Sequence, residues 1–207
     1  MDLYYTEYGS HVISYREKII DVINKAVREH CRTLAIRVDL HDPAILDNGD
    51  SISCNANTEP GAISRFTNSL KAKVKSDEQR KQKENKRVHP NTLRYAWVRE
   101  FTQNGKRHFH LFLFLNKDAY YHRGDFNMDE DTLRTLITSA WCSALSLNTE
   151  EGQHLVHYPS HGKYTLYRND IINDVYRGDL LNRIDYLTKV KSKIFDDGNR
   201  TFGCSNN

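Results

Sequence analysis

Apolar residues recur along this chain with two spacings, every three to four positions in some stretches and every second position in others. Ile19, Ile20, Ile23, Ala26 and Val27 predict a first helix from about Tyr15 to Glu29, opened by a Ser14/Glu17 capping box. Ile63, Phe66, Leu70 and Val74 give a second helix its stripe, with Pro60 suited to the first turn. Asp129 to Leu147 predicts a third, acidic in its first turn and apolar at Leu133, Leu136, Ile137, Ala140, Trp141, Ala144 and Leu145. A terminal helix from about Asp179 to Phe195 follows from Leu180, Ile184, Leu187, Val190 and Ile194.

The alternating stretches read as strands. Thr33 to Leu40 sets Leu34, Ile36 and Val38 on one face and Ala35, Arg37 and Asp39 on the other. Tyr95 to Thr102 and Arg107 to Leu115 flank Asn104-Gly105, a strong hairpin signal, and a further strand or two fit between His154 and Arg168. The run after the turn is apolar on both faces, as a covered central strand requires. Isolated helices around short, hairpin-connected strands predict an antiparallel α+β sandwich of sheet and helices.

Composition narrows the class. With 207 residues the chain is long enough for one domain, or one with an appendage, and a net charge of +3 does not by itself announce nucleic acid. Cys31, Cys54, Cys142 and Cys204 are scattered without a Cys-x-x-Cys pair, which favours a reducing cytoplasm. The acidic, aromatic N-terminus is unlike a secretory signal, and no apolar run approaches membrane-spanning length, so a soluble protein without a membrane partner is expected. The charge is localised: Lys71 to Arg87 holds eight basic and three acidic residues, a net of +5. Such a run is commonly a solvated helix end. Its functional reading is a basic arm, about 71–87, in which Lys71, Lys73, Lys75, Arg80, Lys81 and Lys83 track a phosphate backbone.

Candidate chemistry begins in the hairpin. His108 and His110 share one face of a strand, where two imidazoles can hold a metal ion together. Ten histidines in the chain make one His-x-His an ordinary coincidence. Its position on an apolar strand adds weight, because buried imidazoles must be hydrogen-bonded or metal-bound. A two-residue turn would set Glu100 opposite Phe109, whereas a three-residue loop with Gly105 left-handed sets it opposite His108; the second is expected. The product is a two-His, one-carboxylate set with open coordination positions, Asp39 being the second-choice carboxylate.

On the terminal helix Tyr186 falls to the side of the apolar stripe, with Lys189 three residues on and Lys193 a further turn along. A lysine ammonium can stabilise a tyrosine anion or hold a phosphate oxygen. A surface tyrosine beside solvated lysines is the common outcome for so short a pattern. Tyr120, Tyr121 and Phe126 offer base-stacking surfaces or core packing in equal measure.

The motifs RVDL (Arg37 to Leu40), WVRE (Trp97 to Glu100), HFHLFLFLN (His108 to Asn116), AW (Ala140 and Trp141), DYLTK (Asp185 to Lys189) and RTFGCS (Arg200 to Ser205) occur in this order. In them the chain resembles the HUH endonuclease superfamily, and more closely the YagK/YfjJ family of prophage proteins related to inovirus-type rolling-circle replication initiators. The resemblance implies a single HUH endonuclease-like domain over 1–207, with a central antiparallel sheet of about five strands and flanking helices, the histidines on the central strand and the tyrosine helix across that face. Helix 15–29 and arm 71–87 would be elaborations. It further implies a metal-dependent single-strand DNA nickase and strand transferase, acting as a phage or prophage replication initiator in the bacterial cytoplasm. Tyr186 would form a 5′-phosphotyrosine, Lys189 would assist, and His108, His110 and Glu100 would hold Mn2+ or Mg2+. Lys193 would join the basic arm in binding single-stranded or hairpin DNA. With no Gly-rich phosphate loop in the chain, unwinding would fall to a host helicase.

Other readings remain open. A recognition module keeping the nickase fold would bind DNA without metal and ignore Tyr186→Phe. A hydrolase of small phosphoesters would need the histidines and not the tyrosine, and a Y1-type transposase would share every catalytic part. Conjugative relaxases carry an N-terminal tyrosine, which keeps Tyr4, Tyr5 and Tyr8 in view.

Overall fold

The computed structural model describes residues 1–7, 9–43, 46–47, 52–53, 56–120, 132–169 and 175–206. Tyr8, Cys54, Tyr121, Phe126 and the acidic turn expected at 129–131 lie outside them. In chain order the elements are β1 (Leu3–Thr6), β2 (Gly9–Val12), α1 (Ile13–Glu29), β3 (Arg32–His41), β4 (Leu46–Asp47), β5 (Ile52–Ser53) and α2 (Ala62–Lys83). Then come β6 (Arg94–Phe101), β7 (Arg107–Asn116), α3 (Leu133–Ala144), α4 (Thr149–Gly152), β8 (Val156–His157), β9 (Lys163–Tyr167), α5 (Val175–Leu187) and β10 (Phe202–Cys204). The class is α+β, an antiparallel sheet with flanking helices. The chain divides into two compact units, one of Met1–Asp39, Pro90–Asp118 and Tyr158–Asn207, the other of Leu40–His89 and Ala119–His157.

In the first unit the strands run β10-β6-β7-β3, and β9 pairs antiparallel with β3. The β6–β7 register sets Glu100 opposite His108 and Val98 opposite His110. Its loop has three residues, as the sequence predicts: Thr102 N–H donates to Lys106 O at 2.9 Å, Gly105 N–H donates to Thr102 O at 2.9 Å, and Gly105 sits at φ 72°. That left-handed conformation is natural only to glycine.

One face of this sheet changes character along its length. Ala35, Ala96, Val98, Phe112, Phe114, Tyr164 and Leu166 pack under Ile19, Val22, Ile23, Ala26 and Val27 of α1 and Leu180, Ile184 and Leu187 of α5. Farther along the same strands the inward positions are Arg37, Asp39, Glu100, His108 and His110. On the opposite face Gly203 of β10 lies across Trp97, whose Cζ2 would be 2.5 Å from any added Cβ.

Two sequence expectations change here. The first helix starts at Ile13, directly from β2, and its N-cap is Val12, so Ser14 is inside the helix and forms no capping box. Ile13 N–H instead donates to Asp2 O of the β1 segment, at 3.1 Å. The terminal helix stops at Leu187 rather than Phe195. Val12 N–H takes Thr188 O at 3.0 Å and Val190 N–H reaches Ser10 O at 2.9 Å, so β2 draws the chain into strand-like pairing before another turn can form.

In the second unit the expected stripe Ile63, Phe66, Leu70 and Val74 of α2 is buried, with Phe66 edge-on to Trp141 of α3 at 5.9 Å. The next stripe position is Asp77, also buried, paired with Arg80 at 2.8 Å and Lys81 at 2.6 Å. The Thr132 hydroxyl caps α3 by accepting from Thr135 N–H.

Candidate functional site

The sheet face turns polar where β3, β6 and β7 end in side chains that need partners. His110 Nδ1–H donates to Asp39 Oδ1 at 2.7 Å, which turns Nε2 toward Glu100 Oε2 at 3.5 Å. His108 Nε2 lies 4.0 Å from the same oxygen. Ligand atoms of Glu100, His108 and His110 all fall within 4.8 Å of one another, close enough to share one cation. The donor set fits a divalent metal. A carboxylate orienting a ligating imidazole through its far nitrogen is the support such ligands ordinarily have. Asp39, the second-choice ligand, therefore stands behind His110, where Arg37 also pairs with it at 3.1 Å.

Lys193 and Ser192 occupy the other side of Glu100. Lys193 Nζ is 2.6 Å from Oε1, and Ser192 Oγ–H donates to Oε2 at 2.8 Å. Both come from the segment after α5, with Ser192 at φ 73° and Phe101 N–H donating to Ser192 O at 3.0 Å. Arg99 secures the same segment, binding Asp197 through both carboxylate oxygens, at 2.7 and 2.8 Å, and the carbonyls of Ile194 and Asn199. Val190 and Ile194 continue the apolar stripe of α5 into this segment, so hydrophobic spacing alone reads it as helix. Its signal is the alternation Thr188, Lys189, Val190, Lys191, Ser192, Lys193, with period two where a helix would need 3.6.

Burial opposes charge at every one of these groups, and neighbours decide the balance. At Glu100 the burial penalty is outweighed by the His110 hydrogen bond and the Lys193 charge, holding the carboxyl down at about 2. At His110 the burial penalty loses to Asp39 and Glu100, which raise its pKa. At His108 burial prevails, aided by the His110 charge, and the pKa falls. The carboxylate is thus favoured ionised, while the two imidazoles are biased oppositely, His108 toward the neutral form that can ligate a metal and His110 toward the protonated form that cannot.

Tyr186 is 42% exposed, and two cations approach its ring: Lys189 Nζ is 3.2 Å from the ring centroid and Arg37 Cζ is 5.6 Å away. Lys189 is not its helical neighbour, since the helix ends between them; the strand-like turn carries the ammonium over the ring. Burial, with Lys191 and Arg37 nearby, outweighs the attraction of Glu100 and lowers the Lys189 pKa. Arg37 touches both this ring and Asp39, linking the tyrosine to the histidine cluster.

The N-terminal hairpin β1–β2, absent from the sequence reading, clamps the end of α5. Tyr4 Oη–H donates to Asp185 Oδ1 at 2.8 Å, Arg16 Nε–H reaches the same oxygen at 2.7 Å, and buried His11 meets Thr188 Oγ1 at 3.2 Å. Burial, with the Asp185 charge, pushes Tyr4 up to about 12, so its phenol is a structural donor. Tyr5 is exposed.

The predicted DNA-binding residues separate into two groups. Lys193 is buried in its pair with Glu100, and Arg80 and Lys81 hold Asp77. Tyr120, a candidate stacking surface, is buried beneath Lys81, whose Nζ lies 5.1 Å from its ring centroid. Lys71, Lys75 and Lys83 are exposed and Lys73 is half-buried.

No helix among the described residues is long and apolar enough to cross a membrane. No solved structure matches the chain. It is 50% identical over 207 residues to "Uncharacterized protein YfjJ" of Escherichia coli strain K12, covering 98% of each chain. It is 46% identical over 205 residues to "Uncharacterized protein YagK" of the same strain, covering 99% of this chain and 98% of the relative. The model of the YagK/YfjJ C-terminal domain matches residues 1–205, and the chain belongs to that family.

Proposed function

We propose that this protein is a metal-dependent single-strand DNA nickase and strand transferase of the HUH type, acting as a phage or prophage rolling-circle replication initiator. The observation that carries the reading is the convergence of ligand atoms of Glu100, His108 and His110 within 4.8 Å of one another, with Arg37 and Lys189 against the Tyr186 ring and Arg37 also paired with Asp39 behind His110. Each feature alone is common, and together they are the parts of one phosphoryl-transfer reaction.

A divalent cation held by Glu100, His108 and His110 would polarise a non-bridging phosphate oxygen and offset its charge. Two imidazoles in the set favour Mn2+ over Mg2+, which prefers oxygen shells. Arg37 and Lys189 place positive charge beside the tyrosine, where an anionic phosphodiester must enter. Tyr186 Oη attacks phosphorus as its proton leaves, the P–O3′ bond breaks, and the departing 3′ oxygen takes up a proton. The products are a 5′-phosphotyrosine and a free 3′-hydroxyl, so the phosphodiester energy is kept for rejoining. Lys189, with its lowered pKa, suits the proton exchange. Asp39 and Arg37 orient His110. The exposed lysines of α2 would bind backbone phosphates of single-stranded or hairpin DNA, and a host helicase would open the duplex.

The test uses labelled single-stranded DNA tiled across the gene's own neighbourhood, incubated with protein and Mn2+. An SDS-resistant adduct that disappears on chelation and in Tyr186→Phe is expected. Tight DNA binding with no adduct anywhere in the tiling would replace the nickase with a recognition module.

A further inference from the structure

We propose that Lys193 makes metal binding at Glu100, His108 and His110 depend on a bound phosphate, so that the metal and the DNA strand enter the site together. The inference rests on the metal-site reading above. Glu100 divides its two oxygens: Oε2 faces His108 and His110, and Oε1 carries the Lys193 ammonium at 2.6 Å. The Lys193 side chain is wholly shielded from solvent; burial lowers its pKa, the Glu100 carboxylate opposes that, and the ammonium paired there is poorly screened beside the ligand set.

The charge count of the cluster explains the consequence. Arg37 balances Asp39 and Lys193 balances Glu100, and all four are nearly buried. With both imidazoles neutral, as ligation requires, these four charges cancel and the set offers a metal no net negative charge. A dication would leave two positive charges uncompensated in a poorly solvated space that already holds two fixed cations, with the Lys189 ammonium over the neighbouring Tyr186 ring. A phosphodiester supplies the missing negative charge and oxygen ligands. Each ligand thereby strengthens the other, and linkage requires the two enhancements to be equal.

The backbone bears the cost of delivering this lysine. Ser192 adopts a left-handed φ of 73° without being glycine, and Arg99 spends four hydrogen bonds on the segment that follows. A helix continued through Phe195 would have left Lys193 on its surface. An acidic metal site open to bare cations would need no such device.

Mn2+ binding to the purified full chain, measured by calorimetry and by electron paramagnetic resonance of free Mn2+, tests this directly. A mixed-sequence single-stranded oligonucleotide and inorganic phosphate serve as alternative anions. In the wild type the oligonucleotide should tighten Mn2+ by about tenfold or more, with Mn2+ tightening the oligonucleotide equally. Enhancement by the oligonucleotide and not by inorganic phosphate would assign the effect to a phosphodiester strand. Lys193→Met should bind Mn2+ alone about tenfold more tightly than wild type and lose most of the coupling. Lys193→Arg, which keeps the charge, should retain it. Tight wild-type Mn2+ binding that is indifferent to both anions overturns the proposal while leaving the metal site standing, and needs no variant to fold. A folded Lys193→Met with unchanged Mn2+ affinity also overturns it. Failure of Mn2+ to bind either protein under any condition removes the metal-site reading itself.

Discussion

The two ends of one sheet face are built from the same strands and both are largely buried, yet they are held together differently. At the apolar end Phe112 and Phe114 stack 6.1 Å apart beneath α1 and α5, and side chains from neighbouring strands and helices are sufficient to fill the space. At the polar end Arg37, Asp39, Glu100 and His110 are each under a tenth exposed, and every charge there needs a specific opposite. Hydrophobic packing is non-directional and can be satisfied by periodicity. Paired charges are directional, so the chain must bring Lys193 and Ser192 from outside any regular element to complete them.

Cutting into each end should separate the two modes. Phe112→Ala removes a fully buried ring from the apolar end and should cost about 3–5 kcal/mol in urea unfolding, with Mn2+ affinity unchanged. If Phe112→Ala loses metal binding while still folded, the ends are not independent. Asp39→Asn should do the reverse, weakening Mn2+ by roughly 10–100-fold in calorimetry because His110 exchanges a charged acceptor for a neutral amide that orients and polarises it less. Equal metal affinity in Asp39→Asn would mean that His110 needs no such support.

The smallest expected effect is a titration. In chelated, metal-free protein, NMR should place His110 above the ordinary imidazole value of about 6.5 and His108 below it. Their contributions to stability run oppositely. That of His110 is full below its unfolded value and is lost as pH rises through its folded one. That of His108 is full above 6.5 and declines as pH falls through its lowered one. Both are therefore near full at about pH 6.5, and each is lost on its own side of that value. Glu100, at about 2 in the fold, contributes fully above its ordinary 4.5 and loses its contribution as pH falls toward 2. A stability curve with its maximum near pH 6.5 is expected, declining on the alkaline side through His110 and on the acid side through His108 and then Glu100, and His110 titrating below His108 would invert the picture.

This contrast also marks what could be read from sequence. The helix stripes, the α+β class and the hairpin register with Glu100 opposite His108 follow from periodicity and from Asn104-Gly105, which are local signals. The partners of the charges were less visible, because pairing is decided by distant segments. Asp39 was legible as a nearby carboxylate and not as the group behind His110. Lys193 was assigned to a helix because Val190 and Ile194 extend the apolar stripe past Leu187; competition from the backbone of β2, which ends α5, leaves no mark in that stripe. The β1–β2 hairpin leaves as little trace in the sequence, since strands this short carry too few residues to show an alternation.

The central claim is that the polar end directs chemistry to one tyrosine. Mass spectrometry of the protein after incubation with single-stranded DNA and Mn2+, followed by nuclease trimming and proteolysis, would locate any nucleotide joined to the chain. The account predicts a phosphonucleotide on Tyr186 and on no other tyrosine. Modification of Tyr4 or Tyr5, or an unmodified chain across the whole DNA tiling, would contradict it.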